Sequence, residues 1–330
     1  MAGILGRIGE IDSREVVDLM RRVVASAPAK VNLHFGVGPL LADGYHSVSS
    51  LYQALDLREE VGVRTSRTDE WSIGVTGSIT PEQIALVPTD DTNLVVKAAL
   101  LAARLADFKQ LRPLEFDIVK RIPVAGGMAG GSADAAAALL AAANKFNLEM
   151  SREELERVAV ELGADVPFAL HGGTALGTGR GEELRRLNLA TELHFVMISA
   201  DAGLKTPSVY SRLDAQREQA GFDPRAIEEP QVPTELIAAL EAGNVDRIAT
   251  LIHNDLEQAA LELMPELELT IAAAQHFGAL RAFVSGSGPT IAALAADADQ
   301  ANELAQRLRD ANFVATQAAT TNRGAEMLGE

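Results

Sequence analysis

Between residues 114 and 145 the chain passes from a two-residue period, through a run of glycines, into an alanine-rich stretch, and no other segment restricts the fold as much. Leu114, Phe116 and Ile118 alternate with Glu115 and Asp117, the pattern of a half-buried strand, and the Ala/Leu run to Lys145 suits a helix. The join is Pro123-Val124-Ala125-Gly126-Gly127-Met128-Ala129-Gly130-Gly131-Ser132. Glycines let backbone N–H groups come close to an anion, and a helix start adds unpaired N–H groups and a positive dipole end, so a phosphate is the natural guest. Two better-known loops are excluded by spacing. Ser132-Ala133 stands where a Walker A loop needs Lys-Ser/Thr, and no Gly-x-Gly-x-x-Gly occurs. Either the phosphate-binding lysine lies elsewhere in the chain, or there is no phosphate.

A chain of 330 residues is long for one hydrophobic core and predicts two domains or one elaborated domain. Hydrophobic content of 47% with 23% charged residues is that of a folded, water-soluble protein, and no apolar stretch is long enough to span a bilayer. The absence of cysteine excludes disulfides and thiolate metal sites. A formal net charge of −17 argues against a nucleic-acid partner, so a phosphate ligand has to be a small molecule held locally against the overall field. Arg7, Glu10, Asp12, Arg14 and Glu15 interrupt the apolar residues of the N-terminus, which therefore lacks a signal-peptide core. The expectation is a cytoplasmic protein with no membrane partner.

Ala27 to Phe35 reads as a strand with Lys30, Asn32 and His34 along one face, either a solvent-facing surface or a functional polar row. Turn signals at Gly36 to Pro39 and Asp43-Gly44 lead to Tyr45-His46, a pair able to stack on and hydrogen-bond a planar base, or simply to pack. Leu51 to Val63 alternates like a strand, and Thr89 to Asn93 is a capping run before a helix from Leu94 to Leu105. Ser151-Arg152-Glu153-Glu154 is a capping box whose helix ends near Leu162-Gly163. Asp165 follows, restrained between that end and Pro167; such a carboxylate either caps a turn or serves as a base. A second glycine-rich passage runs from Gly177 to Glu182, near the expected domain boundary. Further on, residues 193–201 read as a strand and 216–233 as an exposed loop. Glu235 to Ala242 and Val245 to Ala260 read as helices, the second containing His253-Asn254-Asp255. Ala282 to Val284 and Ile291 to Leu294 flank Ser285-Gly286-Ser287-Gly288-Pro289-Thr290, either a tight turn or a second loop lending N–H groups to the same ligand.

Three separated segments, Ala27 to Leu33, Pro123 to Ser132 and Ser285 to Thr290, resemble in order the three motifs of the GHMP kinase superfamily. That resemblance implies an α/β (α+β) two-domain fold. The N-terminal domain would be like the second domain of ribosomal protein S5, and the C-terminal domain ferredoxin-like. Residues 1–21 would be an extension, 22–178 the ATP-binding domain and 179–330 the second domain, with the final residues able to pack back on the first. The lysine strand with Asn32, Asp43 to His46, Gly163 to Pro167, Thr206-Pro207 with Tyr210, and His253 to Glu257 resemble one branch in particular. That branch phosphorylates a cytidyl-diphosphate sugar alcohol in the non-mevalonate isoprenoid pathway.

Carried over by position, the resemblance implies Asp165 as general base with Lys30 as its partner, which also supplies the cation missing from the loop. Pro123 to Ser132 would cradle the triphosphate, with Asn93 and Lys120 at the adenine end. Tyr45 and Tyr210 would sandwich the cytosine, His46 would hydrogen-bond it, and Asn32 and Thr206 would hold the diphosphate arm. Gly286, Ser287 and Gly288 form the supporting loop. ATP and Mg²⁺ are implied, with Ser132 the loop's one hydroxyl for the metal, and the protein would act as a monomer or homodimer. Two departures stand out: Ala133 replaces a second serine found in many relatives, and Tyr210 stands where some have Phe. Asp134 is expected to complement the helix dipole, the alternative being an approach to Mg²⁺. Competing readings are a homoserine- or mevalonate-type GHMP kinase, whose acceptors have no use for a cytosine clamp, and a non-catalytic nucleotide-binding regulator.

Overall fold

The structure, a computed structural model, describes residues 21–68, 70–108, 111–200 and 202–329. Apart from Arg21, the expected N-terminal extension lies outside the described residues. Two long antiparallel strands, β1 (Val23–Leu40) and β2 (His46–Thr65), form the spine of the larger sheet. Its order is β12-β1-β2-β4-β3, with β3 at Ser72–Gly77, β4 at Leu114–Lys120 and β12 at Glu326–Leu328. β5 (Thr174–Thr178) pairs with β2, and β6 (Glu183–Leu187) pairs with β5, which carries this sheet past residue 178.

Helix α2 (Leu94–Leu105; α1 is the short Pro81–Ala85) starts at the N-cap Asn93, and α3 (Gly130–Lys145) packs between α2 and strands β1 and β2. Alanine at 133, 135–138 and 141–143, all buried, lets α3 approach both neighbours closely, and this explains why so apolar a helix carries so little bulk. The helix from Ser151 has its capping box and ends as α4 (Arg152–Ala159), continuing as turns to Gly163. α5 (Val166–His171) follows at once.

The smaller sheet is fully antiparallel in the order β11-β7-β10-β9: Val314–Ala319, His194–Ser199, Ile291–Ala295 and Arg281–Val284. Its remaining elements are α6 (Thr206–Gln219), α7 (Thr234–Glu241), α8 (Val245–Leu251), α9 (Glu257–Leu263), α10 (Glu266–His276) and α11 (Ala298–Asp310). α10 and α11 pack on this sheet.

Two sequence expectations change. The exposed loop begins only after Gln219, since α6 runs four residues into it. The helix read over Val245 to Ala260 is broken: α8 stops at Leu251, and β8 (His253–Asn254) pairs in parallel with β1 before α9 begins. Free edge groups of β1 outcompete the helical period, with Asp255 N donating to Phe35 O at 2.9 Å and Val37 N to Asp255 Oδ2 at 2.8 Å. Among the described residues no helix is long and apolar enough to cross a membrane.

Candidate active site

The loop after β4 is built by backbone conformation. Ala125, Gly127 and Ala129 have φ of 54°, 76° and 59°, and Ala129, the N-cap of α3, offers no side-chain cap. The first-turn N–H groups of α3 therefore have neither an intrahelical acceptor nor a capping oxygen. A Cβ built on Gly131 would meet nothing within 4 Å, so the approach to these groups is open, as an anion requires.

The Ser285–Thr290 turn buttresses this loop. Thr290 N donates to Gly126 O at 3.3 Å, and Gly288 N is spent within the turn on Ser285 O. The turn is tight, and its backbone also holds the first loop. Asn254, displaced from its expected helix, holds the turn by donating to Val284 O at 2.8 Å and Gly286 O at 2.7 Å.

Lys30, Asn32 and His34 are not on a solvent face: all three are buried, because nearly every residue of β1 is, so both faces of the strand are covered. Lys30 Nζ donates to Asn32 Oδ1 at 2.8 Å and to Gly127 O at 2.9 Å, which ties the polar row to the glycine loop. Asn32 in turn donates to Ser50 Oγ at 2.7 Å. Burial lowers the Lys30 pKa, and the charge of Asp165 partly opposes the fall.

Asp165 is the N-cap residue of α5 by position, yet its side chain makes no capping hydrogen bond. The half-buried carboxylate is therefore not used up by its own turn. Its field reaches Lys30 and two phenols. Burial first, and then Asp165, push both the Tyr52 and Tyr210 hydroxyls above their ordinary pKa. Tyr52 escaped the sequence reading. It is an aromatic inside an alternating strand, and only the distant glycines Gly177 and Gly181, against which its ring and hydroxyl pack, mark its place.

Thr206, Tyr210 and Asp214 recur every fourth residue along α6 and so share one face. The Thr206 and Ser287 hydroxyls are 2.9 Å apart. His46 lies 2.9 Å from Asp214 Oδ1 through Nε2, and its ring is 5.1 Å from that of Tyr210 at 31°. Tyr45, 59% exposed, stands at the rim.

At the other end a cleft of about 250 Å³ is lined by Val87, Asn93, Lys120, Val124, Gly131 and Asp134. Asn93 caps α2 through Val95 N and donates to Pro88 O at 2.6 Å. Lys120 is fully buried between Glu59 and Asp134, each at 2.7 Å. Asp134 thus does not serve the helix dipole. It lies in the second turn, faces inward and is a counter-ion of Lys120. Glu59 also accepts from Arg121 N and Ile122 N, pinning the strand end from which the loop departs.

Residues 93–173 match the family profile described as GHMP kinases N terminal domain, and residues 236–314 that of GHMP kinases C terminal. Fold, loop and profiles together define a GHMP kinase, an ATP-dependent small-molecule kinase of mixed α/β architecture in two domains. The chain is 48% identical over 289 residues to 4-diphosphocytidyl-2-C-methyl-D-erythritol kinase of Nocardia farcinica, covering 88% of this chain and 90% of that protein. With the enzyme of the same name from Leifsonia xyli it shares 44% over 312 residues, 94% of this chain and 100% of the other. A crystal structure of 4-(cytidine 5'-diphospho)-2C-methyl-D-erythritol kinase superposes with a TM-score of 0.70 at 30% identity, over 90% of this chain and 98% of that one. Homoserine kinase from Cytophaga hutchinsonii shares the fold, with a TM-score of 0.68 at 21% identity over 93% and 97% of the two chains. The chain belongs to the 4-diphosphocytidyl-2-C-methyl-D-erythritol kinase family.

Proposed function

We propose that the chain transfers the γ-phosphoryl group of ATP to the 2-hydroxyl of 4-diphosphocytidyl-2-C-methyl-D-erythritol, in non-mevalonate isoprenoid synthesis, with Asp165 as general base. The observation that carries this reading is the position of one uncapped carboxylate. Asp165 acts electrostatically on Lys30, which is bound to the glycine loop, and on Tyr210, which lies beside His46.

The triphosphate lies against the N-terminus of α3, where unpaired N–H groups and the dipole favour negative charge. The acceptor base stacks between Tyr45 and Tyr210 with His46 fixed by Asp214, while Asn32 and Thr206 take the diphosphate arm. As the acceptor oxygen forms its bond to the γ-phosphorus, its proton passes to the Asp165 carboxylate and the bond to the β-phosphate oxygen of departing ADP breaks. Lys30, held by Asn32 and Gly127, offsets the charge that develops on the transferred group. Phosphoryl transfer asks a protein chiefly for such positioning.

Among the described residues no cluster of three or more His, Asp or Glu could hold a metal by itself. This donor set suits an ion carried in on the nucleotide, since Mg²⁺ on a triphosphate needs few protein ligands. The Ser132 hydroxyl in the first turn of α3 would hold it, and it would supply neutralisation of phosphate charge.

The test is Asp165→Asn. ATP affinity is expected to stay, and kcat with the cytidyl acceptor to fall by about 10² to 10⁴. A mutant as fast as wild type would remove Asp165 from the reaction, and turnover of homoserine or mevalonate in place of the cytidyl acceptor would remove the acceptor.

A further inference from the structure

The passage Gly177-Thr178-Gly179-Arg180-Gly181-Glu182 has no part in the reaction as derived above. It closes β5 and turns the chain into β6, and φ of 70° at Gly179 and 110° at Gly181 lets the backbone reverse. The turn is fastened to the acceptor side of the site, because Val48 N donates to Gly179 O at 2.8 Å and the Tyr52 side chain packs under Gly177 and Gly181. At its tip the Arg180 guanidinium lies 4.4 Å from the centroid of the Tyr45 ring. Arg180 also pairs with the Asp43 carboxylate, and Asp43 Oδ1 accepts from Tyr45 N at 3.0 Å. One carboxylate thus fixes both the backbone of Tyr45 and the cation that covers its ring.

We infer that Arg180 is a positioning residue for the acceptor. Its guanidinium covers one face of Tyr45 and holds the ring so that the other face receives the acceptor base. The inference rests on the stacking role proposed for Tyr45. An aromatic ring 59% exposed would otherwise move among rotamers, and stacking a ligand on it would cost that freedom. Arg180 removes the cost beforehand, through a planar cation suited to a ring face and a fork suited to a carboxylate. The ion pair itself is about 45% exposed on each side, so its part is orientation, not stability.

The experiment compares steady-state constants for wild type, Arg180→Ala, Arg180→Lys, Tyr45→Ala and the double variant Tyr45→Ala/Arg180→Ala, using the cytidyl acceptor and ATP. Arg180→Ala is expected to raise the acceptor KM about three- to tenfold, as loss of an exposed cation–π contact allows. The KM for ATP stays, and kcat at saturating acceptor changes much less than KM. Lysine in place of Arg180 restores part of the loss. In the Tyr45→Ala background, removing Arg180 adds nothing further, because the ring through which it acts is gone. An acceptor KM that is unchanged or lower in Arg180→Ala overturns the inference, and so does an effect that persists undiminished in the double variant. If Tyr45→Ala itself leaves the acceptor KM unchanged, the stacking reading of Tyr45 has failed, and the role of Arg180 falls with it.

Discussion

Gly286 closes over Lys30: a Cβ built on Gly286 would stand 3.0 Å from Lys30 Nζ and 3.0 Å from Gly127 O. Lys30 lies on a strand of the larger sheet and Gly286 in the turn between two strands of the smaller one, and that small-residue turn is what lets the second sheet press on the ammonium without displacing it. Gly286 also has φ of 55°, where an L side chain costs about 1–2 kcal/mol. Gly286→Ala is therefore expected to shift Lys30 from its seat between Asn32 and Gly127 and to lower kcat by about tenfold or more, as small displacements in catalytic geometry do. Stopped assays at saturating substrates, with a thermal melt beside them, measure this. Full kcat in a folded variant would mean that the position of Lys30 is not critical.

A second expectation concerns pH. Burial chiefly, and then Asp134 beside it, push the Glu59 carboxyl up to about 7, against the pull of Lys120. For Lys120 burial acts downward, but Asp134 and Glu59 together hold its pKa above the ordinary value. Because the folded pKa of Glu59 exceeds its unfolded value of 4.5, the native chain binds more protons than the unfolded chain between those values. The stability contributed by Glu59 is full below 4.5 and is lost as pH rises through 7. Relative to Glu59→Gln, wild-type stability is thus expected to fall by up to about 3 kcal/mol between pH 4.5 and 8, read by urea unfolding of both proteins. Parallel curves across that range would place the proton elsewhere.

How far the sequence discloses this arrangement depends on the range of the interactions. Strand β4, the loop and α3 are local, written in a period of two, a run of glycines and a run of alanines, and they fold as read. The Ser151 capping box and the Asn93 cap are local too. The burial of Lys30 is not, because it takes the glycine loop and a turn from the other sheet to close over its ammonium. Nor is the pairing of Lys120, whose partners lie 61 residues before it and 14 after it in the chain. The His253-Asn254-Asp255 segment carries a helical pattern, and only the free edge of β1 shows why it pairs as a strand instead.

Tyr52, which no motif marks, is expected to matter to the reaction. Its buried hydroxyl feels the charge of the Asp165 carboxylate, and its ring stacks on Phe168 of α5 at 4.8 Å and 26°. Tyr52→Phe keeps that packing and removes the hydroxyl beside the carboxylate. Loss of the hydroxyl that the Asp165 charge acts on predicts a fall in kcat of about tenfold, with little change in the KM for ATP. An unchanged kcat would make Tyr52 purely a packing residue.

Asn254 is the residue whose chemistry is most completely used. Its amide nitrogen donates to Val284 O and Gly286 O, and its oxygen accepts from Leu256 N at 2.9 Å. The two carbonyls belong to the end of β9 and to the turn that follows it and presses on Lys30, so stability and activity are linked through one side chain. Asn254→Asp keeps the shape, but an ionised carboxylate has no hydrogen to donate and would face two carbonyl oxygens. The expected loss is about 2–4 kcal/mol of unfolding free energy, the sum of two buried acceptors left unpaired. As pH is lowered and the acid protonates, one donor returns and part of the loss should be recovered, which a purely steric defect would not show. Unfolding by urea at pH 5 and pH 8 separates the two: equal deficits at both would mean that the donors of Asn254 are not what holds the turn.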